Sequence, residues 1–230
     1  MAWRMLLRRV PTRSMTIVGD VAQTTAQAGA HSWSRMLDPL LRGGWRLAEL
    51  TVNYRTPAVV ADAAQRVARA ANLPVSDLTS ARDVEDALVV ERVGAETELA
   101  AAAARSCAVA LVTLGDGAEG GRMALIAPAG RLLAMRAALH AAGLDGSLGT
   151  GTDALDARLT LLTPREAKGL EFDVVVLVEP AEVAAAGAGD LYVAMTRPTR
   201  ALRVVHHADL PKGFEEEPVG SASAGSDPRP

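Results

Sequence analysis

Residues 167–178 read AKGLEFDVVVLV, and the reading of this stretch decides the fold. After Asp173, the chain has five consecutive apolar residues, four of them valine. Side chains in a strand alternate between the two faces of a sheet, so an unbroken apolar run must be covered on both sides. That predicts a central strand of a parallel sheet with helices above and below it. Gly169 lets the backbone turn closely just ahead of the strand. Working outward, the same kind of element recurs. Downstream, 188–198 suits a helix and 200–206 a last strand. Upstream, 159–163, 122–127 (RMALIA) and 87–93 (ALVVERV) suit strands. Between them, 130–142 and 96–114 suit helices. Residues 57–71 suit a further helix opened by Pro57, whose missing N–H costs nothing in a first turn. Strands alternating with helices predict an α/β, doubly wound, mostly parallel sheet.

The first fifty residues do not continue that pattern. Trp3, Leu6, Leu7 and Val10 share a face of a helix that Pro11 ends. MTIVG at 15–19 is expected as a short buried parallel strand, 31–41 as a helix and 49–52 as a strand. The expected organisation is therefore 1–50 as the end of a preceding domain, 51–208 as a second domain, and 209–230, rich in Gly, Ser, Pro and acidic residues, as a disordered tail.

Composition narrows the function. Hydrophobic residues at 49% and charged residues at 22% are ordinary for a globular chain. A net charge of −3 is unlike the basic charge of an autonomous nucleic-acid binder, and aromatics at 3% disfavour a base-stacking platform. A local basic patch stays compatible with both. The single cysteine, Cys107, excludes an internal disulfide and is expected as a buried, inert thiol. No metal site is expected. MAWRMLLRRV lacks the apolar core and small-residue cleavage site of a signal peptide, and no uninterrupted apolar run reaches the ~18 residues of a membrane span. The expectation is a cytoplasmic protein with no membrane partner.

Four segments carry the chemistry, in this order: TIVGDVAQ (16–23), LTVNYRTP (50–57), LTPREAKGLEF (162–172) and DLYVAMTR (190–197). In the first, Gln23 offers an amide that both donates and accepts, suited to sensing a terminal phosphate or its attacking water, and equally suited to a plain surface loop. In the second, Tyr54 can stack on a flat ring and Arg55 can grip an anion, or the two are simply an exposed tyrosine and a salt-bridged arginine. In the third, Glu171 can accept from a ribose hydroxyl, while Lys168 is as well explained by a salt bridge to Glu166 or Glu171. In the fourth, Pro198 limits a helix whose end frees Arg197 to reach across a cleft as an arginine finger, or leaves it paired with the helix dipole.

Taken in order, the four segments resemble the third, fourth, fifth and sixth motifs of UvrD/Rep-type superfamily 1 helicases. The resemblance covers about 15–56 and 159–206. It implies two RecA-like domains with ATP in the cleft between them, and assigns this chain the end of the first and most of the second. It implies that Gln23 senses the γ-phosphate, Tyr54 stacks near adenine, Arg55 contacts the γ-phosphate, Glu171 holds the ribose side and Arg197 is the finger. DNA is the implied polymer. There are departures. The third segment continues GDVAQTTAQAGAHSW, and Ser34 stands after Trp33 where the family has an arginine that touches single-stranded DNA. The interval 57–158 leaves little room for an inserted domain. Both features resemble the HelD-like branch, whose partner is RNA polymerase.

A P-loop needs GxxxxGK followed by Ser or Thr. The only lysines, Lys168 and Lys212, are each followed by glycine. Neither that cradle nor the acidic Mg²⁺ motif expected ahead of TIVGD is present. The expectation is a chain that forms one wall of an ATP site and does not hydrolyse ATP alone, with Mg²⁺ held only by a P-loop-bearing N-terminal half. The alternative is a non-catalytic module that docks on RNA polymerase or on a partner subunit supplying the P-loop.

Overall fold

The computed structural model describes residues 2–10, 12, 14–23, 32–115, 120–151 and 156–214. Its centre is a six-stranded, all-parallel sheet. In chain order the strands are β3 (Leu88–Arg92), β4 (Met123–Ile126), β5 (Ser147–Leu148), β6 (Leu159–Leu162), β7 (Phe172–Val178) and β8 (Pro198–His206). Across the sheet they run β3-β8-β7-β4-β6-β5. A separate parallel pair joins β1 (Val52–Asn53) to β2 (Thr79–Ser80).

The strand that decides the fold lies in the middle, between β4 and β8. Its alternation divides the core in two. Val175 and Leu177 face one layer, with Val60, Ala63, Ala64 and Val67 of helix α3 (Ala58–Ala70) and Leu191, Tyr192 and Met195 of helix α7 (Ala188–Met195). Val174, Val176 and Val178 face the other layer, with Leu99, Ala103 and Cys107 of α4 (Leu99–Leu114) and Met135 and Leu139 of α5 (Leu132–Ala141). The expected two-sided cover is therefore present. Cys107 lies fully inside the second layer, and burial pushes its thiol up to about 12, so the thiolate nucleophile is not available.

With its 3₁₀ lead-in, Glu96–Leu114 is 19 residues and apolar enough, by length and composition, to cross a membrane. That qualifies the expectation of no such stretch. In the fold one face of this helix packs on β4, β7 and β8. On the other, Arg105 pairs with Glu91 at 3.3 Å.

Three expectations are corrected. Residues 14–20 are not a strand, and Val18 is 87% exposed. A strand needs a neighbour for its N–H and C=O groups, and among the described residues no strand pairs with this segment. Among the described residues 14–23, only Ala22 enters the core. The helix expected over 188–198 is α7 alone, ending at Met195. It is preceded by α6 (Pro180–Ala186), separated from it at Gly187 and missed in the sequence because the break falls inside an alanine-rich run. The packed chain also extends past 208. Phe214 is 3% exposed and lies in the first core layer, so 209–214 is docked rather than tail. The rest of that expected tail, 215–230, lies outside the described residues.

The loops after β4 and β7 leave toward opposite faces, because α5 packs in the second layer and Val183 of α6 in the first. Such a point opens a crevice at the carboxyl edge of a parallel sheet. Here an ion cluster spans it. Arg131 donates from Nε to Glu182 at 2.8 Å and from Nη2 to Glu182 and to Glu96, the last at 2.8 Å. The hydrogen bond from Arg131 holds the Glu182 carboxyl below its ordinary 4.5, against a smaller opposing effect of burial. A depressed carboxyl contributes stability that is present above its unfolded value and lost as pH falls through its folded value. R131M is therefore expected to show a shallower fall of urea midpoint below about pH 4.5 than the unmodified chain. Equal slopes would mean the pair contributes nothing, as many exposed pairs do.

Candidate functional site

The four segments meet at the amino ends of β7 and β8. Phe172 opens β7 beside Pro198, which opens β8, and Phe172 N donates to Arg197 O at 3.2 Å. Proline is tolerated at a strand's first position, where its missing donor breaks no ladder. Glu171 and Arg197, one residue ahead of each strand, are therefore delivered to one edge.

Arg197 is the centre of the cluster and is 4% exposed. Nε donates to Val193 O at 3.0 Å and Nη1 to Leu170 O at 3.2 Å. Nη2 donates to Gln23 Oε1 and Thr196 Oγ1, both at 3.2 Å. This corrects the free helix-end arginine expected from the sequence. The side chain curls back onto its own helix, and only the Nη2 corner meets another segment. Burial, then the Arg55 cation, lowers its pKa, while Glu171, Asp20 and Tyr192 act the other way. Arginine's basicity is so high that it stays charged.

Arg55 Nη2 lies 2.7 Å from Glu171 Oε1, with both side chains about half exposed. The NYRTP turn that presents Arg55 is built by Asn53, whose Oδ1 accepts from Arg55 N at 2.9 Å and Thr56 N at 3.2 Å, an asparagine turn. Tyr54, beside Arg55, is 73% exposed, so its ring is open to a partner.

Gln23 is held from three directions. Its Nε2 donates to Asp20 Oδ2 at 3.0 Å, its Oε1 accepts from Arg197, and its backbone carbonyl accepts from Lys168 Nζ at 2.7 Å. Lys168 therefore does not make the salt bridge expected for it. Its partner is a carbonyl 145 residues away in sequence, beyond the reach of any local pattern. Trp33 packs against Gly19, where an added Cβ would lie 3.2 Å from its ring.

Two further contacts, not anticipated, shape the loop from β6 to β7. Thr163 N and Oγ1 both donate to Glu166 Oε2 at 2.8 Å, and Glu166 N donates back to Thr163 Oγ1 at 3.3 Å, a reciprocal capping box. Arg165 Nε donates at 3.1 Å to buried Asp190 Oδ2 in the first turn of α7, joining the third and fourth segments. The T-x-x-E spacing at 163–166 is a sequence signal that was available. Tyr192, on α7, is pushed up to about 12, first by burial and then by Asp20.

The Gln23–Arg197 and Arg55–Glu171 pairs thus lie at one edge, close enough for Arg55 and Glu171 to act electrostatically on Arg197, with the open Tyr54 ring next to Arg55. Two guanidinium groups, an amide and a carboxylate are a donor-rich set suited to an anion, with an acceptor for a hydroxyl.

No protein-family model matches the chain, and no curated protein matches its sequence. Solved structures do. The C-terminal domain of a possible DNA helicase from Lactobacillus plantarum WCFS1 is 20% identical over 70% of this chain and 92% of its own, with a TM-score of 0.50. Arterivirus nonstructural protein 10, a helicase solved with DNA, is 15% identical over 65% of this chain and 32% of its own, with a TM-score of 0.37. The first likeness shows the fold: a RecA-like parallel sheet flanked by helices, the expected fold class.

Proposed function

We propose that the chain supplies one wall of the ATP cleft of a UvrD/Rep-type superfamily 1 helicase or translocase. The observation that carries this reading is the convergence of two pairs, Gln23–Arg197 and Arg55–Glu171, on one sheet edge within electrostatic reach of each other, drawn from four segments spread over 175 positions. In this reading Arg55 and Arg197 face the γ-phosphate, Gln23 senses it, Glu171 holds the ribose side and Tyr54 stacks near adenine. Arg55 and Glu171 are exposed enough to exchange each other for a ligand. The likeness to a possible DNA helicase's C-terminal domain makes DNA the proposed polymer.

The proposal extends to residues 1–50 as the end of a first RecA-like domain. Val18, Leu47 and Leu50 expose apolar surface there, as a segment that packs on another domain would. These 230 residues contain no GxxxxGK[ST] sequence. The phosphate cradle and Mg²⁺ ligands must then come from another domain or subunit, and the chain by itself is not expected to turn over ATP. The described part of 57–158 holds only α3, α4, α5, short 3₁₀ turns and β2–β5. That compactness supports the HelD-like branch, with RNA polymerase as the proposed partner, over an unwinding helicase with a large insert.

The test is an ATP titration of the full chain followed by nuclear magnetic resonance. A half-site should bind weakly, with a Kd on the order of 1 mM or above, only about −4 kcal/mol. Arg55 and Arg197 side-chain signals and the Glu171 amide should shift together, and R55A should abolish the response. Shifts confined to residues outside this edge, or none at all, would remove the reading.

A further inference from the structure

Arg82 lies outside all four segments, yet its side chain joins two of them. Nη1 donates to Thr199 O at 3.0 Å and to Arg55 O at 3.4 Å. A terminal guanidinium nitrogen carries two hydrogens, so one atom serves both carbonyls. Thr199 is two residues beyond Arg197, at the start of β8. The bridge therefore spans from the turn that presents Arg55 to the strand entry that places Arg197.

The backbone around Arg82 is itself anchored to that turn. Ala81 N donates to Asn53 O at 2.9 Å and Ala58 N to Arg82 O at 2.8 Å. Ser80 Oγ donates to Thr56 O at 2.7 Å. Just upstream, buried Gln65 exchanges both amide bonds with Leu78, each at 3.0 Å, fixing the strap on α3. A strap held at so many points makes its one long side chain a rigid spacer. It also sets a third cation beside Arg55, which two carbonyl acceptors offset.

We infer that Arg82 is a positioning residue that sets the spacing of Arg55 from Arg197 and so the fit of the site to a polyphosphate. The inference about polyphosphate fit rests on the reading in the preceding subsection, whereas the spacing itself does not. Methionine at 82 keeps most of the volume and removes both donors. Lysine keeps the charge and can reach both carbonyls without the planar fork.

The experiment uses the full chain as the unmodified protein, R82M and R82K. The first readout, without ligand, is the ordering of the Arg55 and Arg197 Nε–Hε groups by heteronuclear relaxation. The second is ATP affinity by the same titration. R82M should loosen Arg55 while Arg197, held by its own helix, stays ordered. It should weaken ATP binding roughly three- to tenfold, the net scale of one ordinary hydrogen bond. R82K should restore most of both. Unchanged ordering of Arg55 in R82M overturns the inference, as does R82M binding ATP as tightly as the unmodified chain. If the unmodified chain binds no ATP, the cleft reading fails, and the Arg55 ordering still decides the role of Arg82. If R82M does not fold, R82Q is read by the same two measurements.

Discussion

Phe214→Ala is expected to destabilise the fold by about 3–5 kcal/mol, the range for emptying a buried phenylalanine site. That is a large share of the roughly 5–15 kcal/mol that holds a domain together. The ring lies in the first core layer with Val67 and Ala68 of α3, and the chain is steered into place around it. Phe214 N donates to Pro211 O at 3.1 Å, closing a turn. Gly213 sits at φ +83 with its position pressed on α3, where a Cβ would lie 2.6 Å from Arg66 O. Arg66 Nε returns a bond to Gly213 O at 3.3 Å. A chain ending at Leu210 should lose a similar amount, because it removes the same ring and the same clasp. Urea unfolding measures both. An F214A midpoint equivalent to a loss under about 1 kcal/mol would mean the segment merely rests on the domain, contrary to its burial.

Phe214 also shows where sequence reading stops. One aromatic among Gly, Pro and acidic residues carries no periodicity, so its docking could not be separated from a disordered tail. The strand at 173–178 was legible because burial on both faces leaves an unbroken apolar run, and the observed split of Val174, Val176 and Val178 from Val175 and Leu177 is the physical content of that run. MTIVG at 15–19 has the same local signature and is not a strand, because pairing is decided by a neighbour that local sequence does not contain. The candidate site divides in the same way. Arg55 and Glu171 could be named from their segments, and they pair. The three-way hold on Gln23, the curl of Arg197 onto α7 and the bridge by Arg82 are contacts between residues far apart in the chain, which residue types and spacing do not reveal.

Arg197→Ala is expected to lower ATP turnover by about 10³-fold or more in the assembly that joins this wall to a phosphate-gripping domain, the scale of an arginine finger. The geometry says which part of the side chain could act. Nε and Nη1 are committed to carbonyls of Val193 and Leu170 within the domain. Nη2 meets the Thr196 hydroxyl and the amide of Gln23, neutral partners of which a phosphate oxygen can displace the second at little cost. Gln23 would then turn from Arg197 to the phosphate, which ties the first segment to the fourth at the moment charge develops. A cation used in this way stabilises the transition state more than the ground state, so the loss should fall on kcat with KM changed much less. Arg197→Lys should not rescue, because an ammonium group lacks the planar fork needed to keep the carbonyls while turning one corner toward Gln23 or a phosphate. Two controls separate this from simple unfolding: urea stability of R197A, expected to fall because Leu170 O loses its donor, and ATP affinity under conditions where the variant is fully folded. An R197A enzyme within tenfold of normal kcat, folded and saturable, would reduce Arg197 to a helix-end brace and remove the finger from the proposed site.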